Sequence, residues 1–224
     1  MTGAECLLRT LLNNSIDLCL MNPGTSEMQF VSALDRVPAM RGVLCLHETV
    51  CAGAADGYAR MTGAPAATLL HLGPGLANGL SNFHNARKAR SPVVSIVGEH
   101  STAHLRYDAP LTADVEAFAR PVSGWVRTLD DAANMGAAAA ECIAAAIQPP
   151  GQVSTLIVPA DYSWSPSGAP GAAVERPARR APSPRLVSEA GAVLRRGSQT
   201  VALLLGGSSV CERGLRAAAR PGAR

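Results

Sequence analysis

The chain has 224 residues, 47% of them apolar, and 20 Lys and Arg against 17 Asp and Glu give a net charge of +3. That length holds one ordinary domain and part of a second, and so mild and dispersed a charge excludes a dedicated nucleic-acid binder. No apolar run approaches the roughly 18 residues of a membrane helix, and the first residues carry Glu5 and Arg9 where a signal peptide would be uninterrupted.

In chain order, Thr2 and Glu5 fit a capping box. Leu7, Leu8, Leu11 and Leu12 then give one apolar helical face that ends at Asn13 and Asn14. Ile16 to Met21 has strand length, and Asn22-Pro23-Gly24-Thr25 reads as a turn. Ser26 and Gln29 read as a second capping box, opening a helix to about Leu34. Val43 to Leu46 is a strand, and Glu48 to Met61 a helix rich in Ala and Gly, closed by Gly63 and Pro65. Ala66 to His71 is the third strand. Gly73-Pro74-Gly75 turns the chain into a helix that lasts to about Ala89. Val93 to Val97 is a strand stopped by Gly98, and the stretch from His100 to Pro121 is irregular apart from a short helix, Asp114 to Ala119. Val122 to Arg127 is a further strand. Asp130 caps an Ala-rich helix that runs to Ile147, and Val153 to Val158 is the last strong strand.

Strands that are continuous apolar runs and alternate with helices predict an α/β fold, a doubly wound parallel sheet flanked by helices. Ligands of such sheets bind beyond the carboxyl ends of the strands. The informative residues are therefore Asn22 to Ser26, His47 and Glu48, His71 to Gly75, and Gly98 to His100. Composition shifts near Tyr162. The expected organisation is a first domain over 1–165, a linker over 166–184, and the incomplete start of a second α/β domain over 185–224. That start comprises a helix Arg185 to Arg196, a strand Thr200 to Leu205 and a helix from about Glu212 to Arg220, with Arg179, Arg180, Arg195 and Arg196 solvated. One strand and two helices cannot bury a core, so the chain reads as a truncated or frameshifted product.

Glu48 stands where an apolar strand becomes a helix. It is either a carboxylate stabilised by the helix dipole or an acid poised at the mouth of a cleft. His71 ends a strand before a glycine turn, a place for acid–base work or for a structural histidine. Gly73 to Gly79 loosely matches a dinucleotide fingerprint, with Glu99 as its ribose-binding acid. Pro74, however, removes an amide donor from that loop. His100 and His104 have helical ligand spacing but no third partner, so no metal site is expected. The six cysteines contain no C-x-x-C pair. They read as buried thiols of a reducing compartment, which makes the cytoplasm the expected location.

Four runs read together carry a resemblance. They are Asn22-Pro23-Gly24-Thr25-Ser26-Glu27; His47 to Arg60, which contains E-x-x-x-x-x-x-A-D-G-Y-A-R; Leu72 to Gly79; and Ser91-Pro92-Val93-Val94. Over roughly residues 1–165 the chain resembles the N-terminal, pyrimidine-binding part of thiamine-diphosphate enzymes of the acetolactate synthase and benzoylformate decarboxylase superfamily. The resemblance implies a transferase or lyase acting on 2-keto acids by decarboxylation or carboligation. It implies that Glu48 hydrogen-bonds the ring nitrogen of the cofactor's aminopyrimidine and activates it, and that His71 assists proton transfers. It places Pro23, Gly24, Thr25, Glu48, Gly73, Pro74, Gly75 and Asn78 around the cofactor. Diphosphate and Mg2+ would be held by a C-terminal domain with a Gly-Asp-Gly motif that this chain lacks. The complete enzyme would be a homodimer or homotetramer with its active site between subunits, with no nucleic-acid or membrane partner, and this chain alone would be inactive. Two other readings stand beside it: a non-catalytic dimerisation domain that pairs with a full-length homologue, and a dinucleotide-binding Rossmann-like domain built on Gly73 to Gly79.

Overall fold

Each of the strong apolar runs is long enough to span a sheet and too apolar to leave either face in water, so the runs pair with one another and are covered on both sides. The computed structural model describes residues 1–178, 181–196 and 200–222. Arg179 and Arg180 lie outside the described residues. The elements are α1 (Gly3–Asn13), β1 (Leu18–Asn22), α2 (Met28–Leu34), β2 (Arg41–Leu44), α3 (Glu48–Thr62), β3 (Ala66–Leu70), α4 (Leu72–Ala89), β4 (Val93–Glu99), α5 (Val115–Ala119), β5 (Trp125–Thr128), α6 (Met135–Ile147), β6 (Val153–Pro159), α7 (Ala160–Trp164), α8 (Pro184–Arg195) and α9 (Glu212–Gly222).

All six strands are parallel, in the order β2-β1-β3-β4-β6-β5. Alternate residues face two separate cores. Cys19, Met21, Ala67, Leu69, Val94, Ile96, Leu156 and Val158 pack with residues of α1, α2 and α6. Leu18, Leu20, Ala66, Leu70, Val93, Val97, Val153 and Ile157 pack with residues of α3, α4 and α5. From β1 the chain goes first to β2 on one side and then to β3 on the other. That reversal is a topological switch point, and it opens a crevice between the carboxyl ends of β1 and β3.

Helix starts differ from expectation in three places. The cap expected from Ser26 and Gln29 is made two residues earlier: the Gly24 amide donates to Glu27 Oε2 at 2.7 Å. A 3-10 turn, Thr25–Glu27, then leads into α2. Gly73-Pro74-Gly75 is not a turn before a helix but the first turn of α4, whose first helical bond runs from the Gly75 amide to the His71 carbonyl at 2.8 Å, and Leu72 takes a φ of 53° to make the corner. Pro is well suited to a first turn, where its missing N–H has no helical partner. Asp131, rather than Asp130, caps the entry to α6 by accepting the Ala133 amide.

The described chain divides into units 1–177 and 178–224. In the first, the Pro-rich stretch after Ser165 runs as a strap over α1 and α6. The Gly171 amide donates to Thr10 Oγ1 at 2.9 Å, and the Val174 amide donates to Asn14 Oδ1 at 2.7 Å. Backbone meets backbone there, since a Cβ on Gly136 would stand 2.3 Å from the Ala169 carbonyl oxygen. In the second unit α8 and α9 are present, but none of the described residues from Thr200 to Leu205 forms a strand. No described residue of that unit is buried. A lone extended run has neither a neighbouring strand to satisfy its amides nor a core to cover its side chains.

Gly136→Val should dislodge the strap from α6 and lower stability by about 1–3 kcal/mol, the usual cost of overpacking. Urea denaturation followed by circular dichroism measures it; an unchanged midpoint would show that the strap contributes nothing to the first unit.

Candidate functional site

Four strand ends converge at the switch point. The turn after β1 is tied to the end of β2, because Asn22 Nδ2 donates to the Cys45 carbonyl at 2.7 Å. Glu48 opens α3 and is buried, at 7% exposure. Its Oε2 accepts a hydrogen bond from Asn78 Nδ2 at 3.0 Å, and its Oε1 faces Gly75. A Cβ on Gly75 would stand 3.1 Å from Glu48 Oε1 and 3.4 Å from His71 Cβ, so Glu48 and His71 flank this one glycine.

His71 closes the other side of the crevice. Its ring lies flat against Gly24, where an added Cβ would come within 2.4 Å of ring atoms. His71 Nδ1 is 2.8 Å from Glu27 Oε2, with one proton between them. Glu27 was not among the residues expected to form the site. It is only 2% exposed, and its Oε1 has no hydrogen-bond partner. That oxygen sits against Gly98, where a Cβ would be 1.6 Å away. Burial raises the Glu27 carboxyl above its ordinary value, and the Gly24 amide and His71 only partly oppose the shift. The signal in the sequence was the three-residue spacing from Gly24 to Glu27, which the Ser26 and Gln29 pair obscured.

The remaining expected positions fall around this pair. Pro23 is half-buried beside Gly24, and Thr25 is exposed at the start of its 3-10 turn. Pro74 is exposed on the first turn of α4. Gly73 touches Ala113, where a Cβ would stand 2.4 Å from the alanine's own Cβ. The room that a dinucleotide fingerprint keeps for a pyrophosphate is thus filled by protein at Gly73. Glu99 accepts the His100 amide at 2.7 Å, and burial raises its carboxyl too. The His100 and His104 rings meet at a tilt of 49°, with centroids 5.4 Å apart. Among the described residues no group of three or more His, Cys, Asp or Glu side chains could hold a metal ion.

The A-D-G-Y-A-R stretch serves α3 itself. Asp56 pairs with Arg60 at 2.8 and 2.6 Å and accepts the Ser91 hydroxyl at 2.5 Å, which staples the helix to the start of β4. An open groove of about 600 Å³ runs beside this staple, lined by Gly53, Gly57 and Lys88 among others. Its one buried carboxylate, Asp56, is already paired with Arg60 and Ser91.

Residues 1–145 match the family model described as thiamine pyrophosphate enzyme, N-terminal TPP binding domain. The chain belongs to the thiamine pyrophosphate enzyme family. Within that family it is 53% identical over 220 residues to a Mycobacterium tuberculosis protein named "Putative acetolactate synthase large subunit IlvX", an alignment that takes in 98% of this chain and 42% of that one. It is 31% identical over 188 residues to benzoylformate decarboxylase of Pseudomonas aeruginosa, covering 82% of this chain and 35% of the relative. A solved structure from Mycobacterium smegmatis, described as a "putative thiamin diphosphate-dependent enzyme", superposes with a TM-score of 0.79 at 26% identity over 88% of this chain and 38% of its own. The 4-hydroxybenzoylformate decarboxylase of Rhodococcus jostii shares the fold with a TM-score of 0.77 at 24% identity, over 87% of this chain and 37% of its own. This member of the family therefore spans well under half the length of these relatives.

Folding favours the protonated form of Glu27, so its contribution to stability is complete below the ordinary value of 4.5 and is lost as pH rises through the higher folded value. Glu27→Gln removes that loss. Its stability advantage over the parent, read by urea denaturation from about pH 4 to pH 8, should grow across the window that opens near 4.5. A difference that does not vary with pH would contradict the burial assigned to Glu27.

Proposed function

We propose that this chain forms the pyrimidine side of an acetolactate synthase-like thiamine-diphosphate site acting on 2-keto acids, by decarboxylation or carboligation. The observation that carries the reading is Glu48: a buried carboxylate at the carboxyl end of a parallel sheet, with one oxygen held by Asn78 and the other bordered by a glycine. Such a group donates or accepts a proton at the ring nitrogen of a flat heteroaromatic, in surroundings where water does not compete for that hydrogen bond. Gly75 keeps the wall beside it free of a side chain, and Pro23, Gly24, Thr25 and Pro74 line the same mouth. His71, backed by the buried Glu27, holds a proton that it can pass to or take from a substrate lying over Gly75. Bound there, thiamine diphosphate supplies the electron sink.

The residues fit the aminopyrimidine half of that cofactor. For its diphosphate, and for Mg2+, the sequence holds no Gly-Asp-Gly motif. In this reading a further domain, on a second subunit, binds them, and the chain by itself turns over no substrate. The outer face of α3 supports a subunit there. Val50 and Met61 are 51% and 87% exposed. Gly57 has open space where a Cβ would be. Large apolar side chains left open on one helix are the kind of surface a partner covers. No described helix is long and apolar enough to cross a membrane. The cysteines are free, and five of the six are buried; that supports work in the cytoplasm, where thiols stay reduced.

Titration of the 15N-labelled chain with thiamine diphosphate, followed by NMR, should show weak binding with shifts gathered at Glu48, His71 and Gly73 to Gly79. Glu48→Gln should weaken it roughly tenfold or more, since a hydrogen bond to a charged group is worth about 1.5–3 kcal/mol. Shifts gathered elsewhere, or an unchanged affinity in Glu48→Gln, would remove Glu48 from the site.

A further inference from the structure

Asn78 lies on the wall of the proposed pocket, and its side chain is already engaged. Its Nδ2 donates to Glu48 Oε2 at 3.0 Å. Its carbonyl accepts the Thr49 hydroxyl at 2.7 Å. One turn further along α4, Asn82 Nδ2 donates to the Thr49 carbonyl at 2.8 Å. Asn82 in turn rests on Gly53, where a Cβ would stand 2.7 Å from Nδ2. A continuous string of contacts therefore runs from Gly53 through Asn82, Thr49 and Asn78 to Glu48, crossing repeatedly between α3 and α4.

We propose that Asn78 is a positioning residue, which acts on the site by holding Glu48 as the last link of this clamp and makes no contact of its own with the cofactor. The proposal rests on the pocket reading given above. Glu48 is the first residue of α3, where the backbone amides lack helical partners and the helix frays most readily. A glutamate side chain there has three rotatable bonds to immobilise, at a cost of about 1.5–2 kcal/mol in rotamer freedom. The clamp meets that cost in two steps. The two bonds to Thr49 fix the first turn of α3 against α4, and the Asn78 amide then takes one carboxylate oxygen. Glu48 Oε1, beside Gly75, is left as the single oxygen presented to a ring nitrogen. Two glycines make the arrangement possible: Gly53 lets Asn82 lie against α3, and Gly75 leaves Oε1 uncovered. Asn78 is itself exposed, so removing its side chain leaves both cores untouched, and Asn78→Ala is a clean variant.

Two measurements decide the proposal. In the chain without cofactor, the Asn78 side-chain amide should exchange with solvent faster in Glu48→Ala than in the parent, by about tenfold or more, as a lost charge-assisted hydrogen bond requires. An unchanged exchange rate would show that Asn78 does not hold Glu48. With thiamine diphosphate, Asn78→Ala should weaken binding about fivefold in the parent and less than about twofold in Glu48→Ala, the signature of a residue that works through its neighbour. An equal loss in both backgrounds would make Asn78 a direct ligand and overturn the proposal. A parent chain that shows no binding would defeat the pocket reading, while the exchange measurement would still decide the clamp.

Discussion

Taking a carboxylate out of water is costly unless something replaces the hydration it loses, and two carboxylates are buried within one crevice of this fold. Glu48 is compensated on one oxygen by Asn78. Glu27 is compensated on one oxygen by the Gly24 amide and His71, and on the other by nothing. The glycines of the crevice follow from the same constraint. Gly24 admits the His71 ring, Gly75 leaves room beside Glu48 Oε1, and Gly98 makes way for the unpaired Glu27 oxygen. A half-compensated buried acid costs stability, which is why burial raises the Glu27 carboxyl.

The four central strands were legible because each is a short apolar run between turn residues, and because alternation with helices leaves a parallel sheet as the natural arrangement; the edge strands Arg41–Leu44 and Trp125–Thr128, mixed in polarity, began two and three residues away from the expected Val43 and Val122. Glu48 and His71 were legible because strand ends in such a sheet carry the chemistry. Helix starts were less so. The glycines at 73 and 75 have turn-like propensities, yet Pro74 between them suits a first helical turn equally well, and packing against Ala113 and Glu48 decided for the helix. Glu27 escaped notice because capping logic has several solutions within one short stretch and cannot say which carboxylate will be buried. At Thr200 to Leu205, strand propensity had no neighbouring strand to act on. The Pro-rich stretch after Ser165 had linker composition, but Gly136 and Gly171 let it lie against two helices at backbone distance, a contact between residues far apart in sequence.

The clamp between α3 and α4 and the Glu27–His71 pair divide the labour of the crevice. In the proposed site one sets where a carboxylate oxygen points, and the other is a hydrogen-bonded pair on the opposite side of Gly75. Neither lies in the open groove beside Asp56, whose charge is spent on holding α3 to the sheet. The family is shared with acetolactate synthase and benzoylformate decarboxylase relatives more than twice as long as this chain. Val50, the first exposed apolar residue of α3, lies two residues after Glu48.

A crystal structure of the chain soaked with thiamine tests the central claim most directly. The account predicts the aminopyrimidine ring in the crevice between β1 and β3, with its ring nitrogen within hydrogen-bond distance of Glu48 Oε1 and Asn78 still on Oε2. A ring bound at any other place, or a Glu48 side chain turned out into solvent with the crevice empty, would contradict it.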